Sequence, residues 1–249
     1  MQQGYLRGAR LRQGDGYDPA AYPYCLPAVQ HIEEMALDAP VTLLVGENGT
    51  GKSTLLEGLA VAWGLNPEGG SRNFTFSTRA THSPLYGALT LIRGPIRPRD
   101  SFFLRAESYY NVASEVDDLE ALDPGMLAAY GGRSLHEQSH GESFLSLMMH
   151  RFSGSGLYLL DEPEAALSPM RQLTLLVRLH DLVQQGAQFI IATHAPILMA
   201  YPGAKVYVLS DAGICHTPYR QTEHFQVSQA FFEQPERLLA QLFRPEGGA

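Results

Sequence analysis

The 249 residues carry 18 Lys and Arg against 26 Asp and Glu, a formal net charge of −8, with 45% hydrophobic and 18% charged residues. This composition excludes collagen, an extended coiled coil and wholesale disorder, and the length suits one large domain with a proper core. Net acidity argues against a protein that coats nucleic acid through a general positive field.

The first stretch, MQQGYLRGAR, lacks the apolar core of a signal peptide. No apolar run reaches the roughly 18 residues of a spanning helix. Cys25 and Cys215 stand alone, with no CxxC pair, so neither a disulfide framework nor a structural zinc site is expected, and a cytoplasmic setting is. The run at 41–45 (VTLLV) leads through glycines into a helix-like stretch at 52–63. Residues 66–101, rich in Gly, Pro, Ser, Thr and Arg, read as irregular. A short strand-like FFL follows at 102–104, and 115–152, rich in Leu, Met, Ala and Glu, reads as a mainly helical insert. Further continuous apolar runs occur at 157–160 (LYLL), 189–192 (FIIA) and 205–209 (KVYVL). Continuous rather than alternating apolar runs suit strands covered on both faces, hence a largely parallel α/β sheet. Between the second and third runs, Leu173, Leu176, Val177 and 179–182 are spaced as an amphipathic crossover helix ended by Gly186. The tail at 226–243 reads as a surface helix interrupted near Pro235. One domain over 1–249, with a helical lobe at about 110–152, is the economical organisation.

Gly46-Glu47-Asn48-Gly49-Thr50-Gly51-Lys52-Ser53 fits GxxxxGK(S/T) and follows a strand-like run, the context that this motif requires. Glycines at these places let the backbone curl so that successive N–H groups point inward at phosphate oxygens, and the following helix adds its positive end. Lys52 then supplies a point charge for the β- and γ-phosphates, and the Ser53 hydroxyl a ligand for Mg²⁺. Only Lys52 and Lys205 are lysines; the other basic residues are arginines. The 157–160 run ends in Asp161-Glu162-Pro163. A carboxylate at a strand end can sit by the same Mg²⁺, and Glu162 can take a proton from an attacking water.

Three more pieces follow in order: Gln138-Ser139-His140-Gly141-Glu142-Ser143 before an apolar stretch at 144–152, Ala165-Ala166-Leu167-Ser168 after the acidic pair, and Thr193-His194 at the end of the 189–192 run. Taken singly, 138–143 also reads as a polar helix cap, and His194 as a hydrogen-bonded histidine at a strand end. As an ordered set over about residues 40–210, they resemble the ATP-binding cassette (ABC) ATPases.

The resemblance implies a P-loop NTPase fold of the cassette type: a mainly parallel sheet flanked by helices, with an antiparallel β part and a helical lobe. It implies ATP and Mg²⁺ as cofactors. Gly46, Asn48, Gly49, Thr50, Gly51, Lys52, Ser53 and Thr54 would hold the phosphates, Ser53 and Asp161 the metal. Glu162 and His194 would be catalytic. Ser139, Gly141 and Glu142 would grip the γ-phosphate bound by a second copy, which implies an ATP-dependent homodimer.

Several positions depart from the family pattern. The 138–142 stretch is closer to the form in SMC and RecF-like DNA-maintenance ATPases than in transporters. Ser168 stands where an aspartate is usual. No clear glutamine loop is visible, and Glu107, in the 105–108 stretch, is either its replacement or half of a surface ion pair. Tyr22 and Tyr24 lie near where transporter cassettes stack an aromatic on adenine, with plain packing as the other reading. The whole chain is similar to small stand-alone AAA/ABC bacterial ATPases. The expected function is Mg-dependent ATP hydrolysis in DNA maintenance or defence; the alternatives are the ATP-binding subunit of a transporter and a nucleotide-gated switch with little turnover. Arg93, Arg97, Arg99 and Arg105 form a basic cluster that reads either as a solvated face or as a surface that could touch nucleic acid. A separate partner protein stays open, and no membrane insertion of its own is expected.

Overall fold

The computed structural model describes residues 4–14, 17–71, 83–105, 109–122 and 125–243. Along the chain the first elements are β1 (Leu6–Leu11), α1 (Pro27–Gln30), β2 (Met35–Ala36), β3 (Val41–Val45), α2 (Lys52–Trp63), α3 (Leu85–Ala88) and β4 (Leu89–Arg93). Then come β5 (Asp100–Arg105), α4 (Tyr109–Leu122), α5 (His140–His150), β6 (Gly156–Asp161) and α6 (Pro169–Gln184). The chain continues through β7 (Gln188–Ala192), α7 (Pro196–Met199), β8 (Lys205–Ser210), β9 (Gly213–His216), α8 (Glu223–Glu233) and α9 (Pro235–Leu242).

Among the described residues, one six-stranded sheet runs β5-β6-β7-β3-β8-β9, and β2-β1-β4 form a separate three-stranded sheet. The larger sheet is parallel except where β9 pairs antiparallel with β8; the smaller one is antiparallel. This is the expected mainly parallel α/β architecture with its antiparallel part. β3, β6 and β7 are buried along their whole length. Strand side chains alternate between faces, so both faces must be covered. Leu43, Phe102, Leu160 and Ile191 pack against Val112 of α4, Leu147 of α5 and Leu179 of α6. Their chain neighbours Leu44, Phe103, Leu159 and Ile190 pack on the other face with Leu55 and Leu59 of α2 and with Leu6 of β1.

Three expectations change. Residues 66–101 are not wholly irregular: β4 lies there and pairs with β1. The helical insert consists of α4 and α5 joined through short 3-10 turns at Met126–Tyr130 and Leu135–Glu137, and α4 begins at Tyr109. In α6 the buried stripe is Leu175, Leu179 and Leu182, while Leu173 and Val177 are 46% and 63% exposed. The i, i+4, i+7 set wins because only one face of a helix can meet the sheet. Among the described residues no helix is long and apolar enough to cross a membrane.

A buried amide ties the two sheets, beside the Tyr207 hydroxyl of β8, which donates to the Ala36 carbonyl of β2 at 2.9 Å. Gln188, the first residue of β7, accepts the Leu6 N–H through Oε1 at 2.9 Å and donates through Nε2 to the carbonyls of Leu6 and Leu37, each at 2.7 Å. A buried polar backbone group left unpaired costs about 1–3 kcal/mol. Gln188→Leu keeps the volume but strands three such groups. Urea unfolding is expected to show a loss of about 3 kcal/mol, whereas Gln188→Glu at low pH, which keeps an acceptor and a donor, loses less.

Candidate functional site

The parallel register levels the C-terminal ends of the strands: Arg105 pairs with Asp161, Asp161 with Ala192, and Ala192 with Leu44. Whatever follows each strand therefore gathers at one edge, the place where open α/β sheets bind ligands. Beyond β3 the chain must turn sharply under β8. A Cβ on Gly46 would lie 2.2 Å from the Leu209 carbonyl oxygen, so only glycine fits. Gly51 caps α2 in the left-handed region (φ 95°), and no side chain caps that helix. Its first N–H groups and its positive end therefore face the cleft.

Lys52 is only 4% exposed. Its Nζ donates to the carbonyls of Gly46 (2.8 Å) and Glu47 (2.9 Å), which pins the ammonium across the loop. Burial holds its pKa below the ordinary lysine value, opposed by the charges of Glu162, Asp161, Glu47 and Glu164. Ser53 Oγ donates to Asp161 Oδ1 at 2.9 Å. The hydroxyl and the carboxylate expected to ligate Mg²⁺ are thus already in contact. Mg²⁺ is commonly held by one or two protein ligands together with substrate phosphates and water, so this pair fits the ion. Tyr22 OH bonds Thr54 Oγ1 at 2.9 Å. A cleft of about 240 Å³ is bounded by Tyr22, Asn48, Lys52, Ser53, Thr54 and Glu162. Of the two tyrosines, Tyr24 is packed in the core, but Tyr22 is 60% exposed and stands over this cleft, so packing does not describe it.

Asp161 is 6% exposed, and its Oδ2 lies 3.6 Å from Arg105 Nε. Arg105 also donates to Glu57 Oε2 at 2.7 Å. It therefore leaves the surface basic cluster in which the sequence placed it: it belongs to a half-buried ion network behind the cleft. Glu162 is the only non-glycine residue with positive φ among the described residues (φ 49°). Such a backbone costs on the order of 1–3 kcal/mol and persists where the surroundings over-determine it. Its Oε1 lies 3.4 Å from His194 Nε2, without hydrogen-bond alignment. That Nε2 is buried and has no hydrogen-bond partner among the described residues, which leaves it free to bond a ligand oxygen.

Two residues around His194 had no signal in the sequence. Glu164 Oε1 accepts from Thr193 Oγ1 (2.8 Å), from the His194 N–H (2.5 Å) and from the Ala195 N–H (3.2 Å). It fixes the turn that carries the histidine. His224 of α8 brings its ring centroid to 5.7 Å from that of His194. Burial, then the neighbouring charge of His194, lowers its pKa.

Ser139 is the N-cap of α5, and Glu142 reaches back to accept from the Ser139 N–H (3.1 Å) and Oγ (2.5 Å). Those hydrogen bonds, followed by the Arg171 charge, hold the Glu142 carboxyl below its usual range. A Cβ on Gly141 would lie 2.6 Å from the Ala166 carbonyl oxygen, so this turn packs tightly on the segment after the acidic pair. None of Ser139, Gly141 and Glu142 lines the Lys52 cleft. The geometry thus brings together 46–54, Asp161, Glu162 and His194, and leaves the 139–142 turn apart. Ser168 caps α6. Glu107 lies outside the described residues.

The fold is that of a P-loop NTPase of the cassette type. Two family models match: "AAA domain" over residues 28–93, and "AAA domain, putative AbiEii toxin, Type IV TA system" over 130–200. An uncharacterised ABC transporter ATP-binding protein of Haemophilus influenzae is 28% identical over 200 residues, 73% of this chain and 74% of that one. The ABC transporter G family member STR2 of Medicago truncatula is 28% identical over 172 residues, 63% of this chain but 24% of that one. Among solved structures, cbiO1 from Clostridium perfringens, part of the ABC transporter complex cbiONQ, shares the fold at a TM-score of 0.54 and 17% identity, covering 96% of this chain and 99% of that one. Together these findings make the chain similar to the ABC-type ATPases, each match covering part of its length.

The role of Glu164 can be separated from nucleotide binding. Glu164→Ala frees the His194 turn and is expected to lower turnover by up to about 100-fold, as misplacing a reacting group does, with nucleotide affinity unchanged. Glu164→Gln, whose amide oxygen still accepts, should recover most of it. Steady-state phosphate release beside a direct binding titration checks both.

Proposed function

We propose that the chain binds Mg-ATP in the Lys52 cleft and hydrolyses it to ADP and phosphate, as a head-to-tail pair of copies with nucleotide at the interface. The observation that carries this reading is the contact of Ser53 with Asp161 beside the Glu162–His194 pair. A metal ligand set and a base–histidine pair converge there on one bare helix end. The Lys52 ammonium and the α2 amides neutralise the phosphates. The exposed ring of Tyr22 offers a face to the base. Mg²⁺, held by Ser53 and Asp161, supplies charge stabilisation for the phosphate oxygens when bound. Glu162 takes a proton from the attacking water, and His194 Nε2 donates to a γ-phosphate oxygen and keeps that water in line.

The pairing follows from Ser139, Gly141 and Glu142. A polar helix start lying outside its own cleft can reach a γ-phosphate only on another copy, and a two-fold pair makes that contact twice. We place the work in the cytoplasm, in nucleic-acid maintenance or in defence, the latter in line with the toxin-system description of the second family model. The transporter reading has the curated relatives in its favour, the Haemophilus influenzae ATP-binding protein and the Medicago truncatula transporter. It predicts a docking partner with membrane-spanning helices.

Glu162→Gln is expected to bind ATP yet release phosphate about 100- to 10,000-fold more slowly, the range lost with a general base. With ATP it should sediment as a dimer. A Glu162→Gln protein that stays monomeric at saturating ATP contradicts the sandwich. Undiminished turnover contradicts the role of Glu162.

A further inference from the structure

A groove of about 690 Å³ lies at the opposite end of the sheet from the Lys52 cleft, against the start of β5 and the end of α2. Arg93, Arg97, Arg99 and Arg151 line it. Arg151 is neutralised there: it grips both carboxylate oxygens of Asp100 at 2.7 and 2.9 Å. Arg93 lies over the Trp63 ring, 4.7 Å from its centroid, with a weak hydrogen bond to the Ala62 carbonyl at 3.4 Å. Among the described residues, neither Arg97 nor Arg99 forms a side-chain hydrogen bond or ion pair, and Arg99 acts electrostatically on Tyr5. Three cations without a carboxylate therefore share one concavity in a chain of net charge −8.

We propose that this groove binds the phosphodiester backbone of a nucleic-acid strand. Guanidinium forks match phosphate oxygens two by two, and their weak hydration makes them the better choice over lysine at such contacts. Ile96, 59% exposed at the rim, gives sugars and bases an apolar surface. The acidic remainder of the molecule repels a polyanion, which confines binding to this place. A lipid surface is flat and fits a concavity poorly.

The groove also sits at the far ends of two elements that begin or end at the Lys52 cleft, α2 and β5, and of α5, which begins at the Ser139 turn proposed to meet a second copy. α2 runs from Lys52 to Trp63, 12 residues or about 18 Å. β5 runs from Asp100 in the groove to Arg105 beside Asp161. α5 runs from the Ser139 cap to Arg151. A strand held in the groove thus touches the ends of elements that position Lys52, Asp161 and Ser139. This coupling rests on the ATPase reading above; the groove itself does not.

The test is fluorescence anisotropy of a labelled 20-nucleotide strand, titrated at several salt concentrations without nucleotide. Wild type should bind, with affinity that falls steeply with salt. Arg97→Ala/Arg99→Ala, two exposed changes, should bind at least about 10-fold more weakly, with a log–log salt slope shallower by about 1 to 2. Trp63, the single tryptophan, should change its emission when the strand is added, because Arg93 moves off its ring. No binding at low salt, or equal affinity and slope in the double variant, overturns the proposal. So does full displacement by tripolyphosphate or by anionic vesicles at equal phosphate, which assigns the groove to free phosphate or to lipid. Lys52→Ala protein that keeps strand binding and loses any response of that binding to ATP separates the groove from the nucleotide reading.

Discussion

The Lys52 ammonium lies almost wholly out of water, held by two carbonyl oxygens at 2.8 and 2.9 Å. A cation so placed is costly unless negative charge stands close. Its surroundings answer that need only from a distance: Glu162, Asp161, Glu47 and Glu164 all act on it electrostatically, yet none forms an ion pair with it. The features around it follow from this constraint. Gly46 must be glycine for the loop to pass under the Leu209 carbonyl, and Gly51 must be glycine-like for α2 to start with its amides bare. The proposed triphosphate would bring more negative charge to the ammonium than any of these side chains does.

The same end of the sheet is a chain of linked ionic groups. Glu57 holds Arg105, Arg105 faces Asp161, and Asp161 accepts from Ser53. Glu57 and Ser53 lie on α2, Arg105 on β5 and Asp161 on β6, so the β5–β6 register and the position of α2 bear directly on Ser53 and Asp161, the pair proposed to hold the metal. Glu164 does the equivalent for β7, joining the turn after Asp161 to the Thr193–His194 corner. Rigid elements thus place the groups proposed to react, and the strained Glu162 backbone is held between two of them.

Much of this was legible in the sequence because it is local. The runs at 41–45, 157–160 and 189–192 are apolar throughout because both sheet faces are covered, and the phosphate loop is a contiguous stretch whose glycines have one reading in that context. What stayed hidden is long-range. β1 reads LRGARL, with arginines at exposed positions and a glycine at a close approach to Met35, so neither alternation nor propensity marks it. β4 sits in a segment rich in glycine, proline and arginine and becomes a strand only because β1 pairs with it. Arg105 carries no sign that it turns inward to Glu57, 48 residues away. Glu164 and His224 act on His194 across 30 residues of chain in each direction, and only the fold brings them there.

The central claim is that a buried lysine in a glycine turn awaits a triphosphate, and calorimetry of Mg-ATP binding tests it most directly. Because burial lowers the Lys52 pKa, the free site loses its proton as pH rises through that lowered value, whereas bound phosphate holds the proton in place. Binding should therefore release heat at neutral pH and take up protons at alkaline pH, seen as a dependence of the heat on buffer ionisation. Both signals should vanish in Lys52→Ala. Absence of heat with the wild-type protein, or equal binding by Lys52→Ala, would contradict the account.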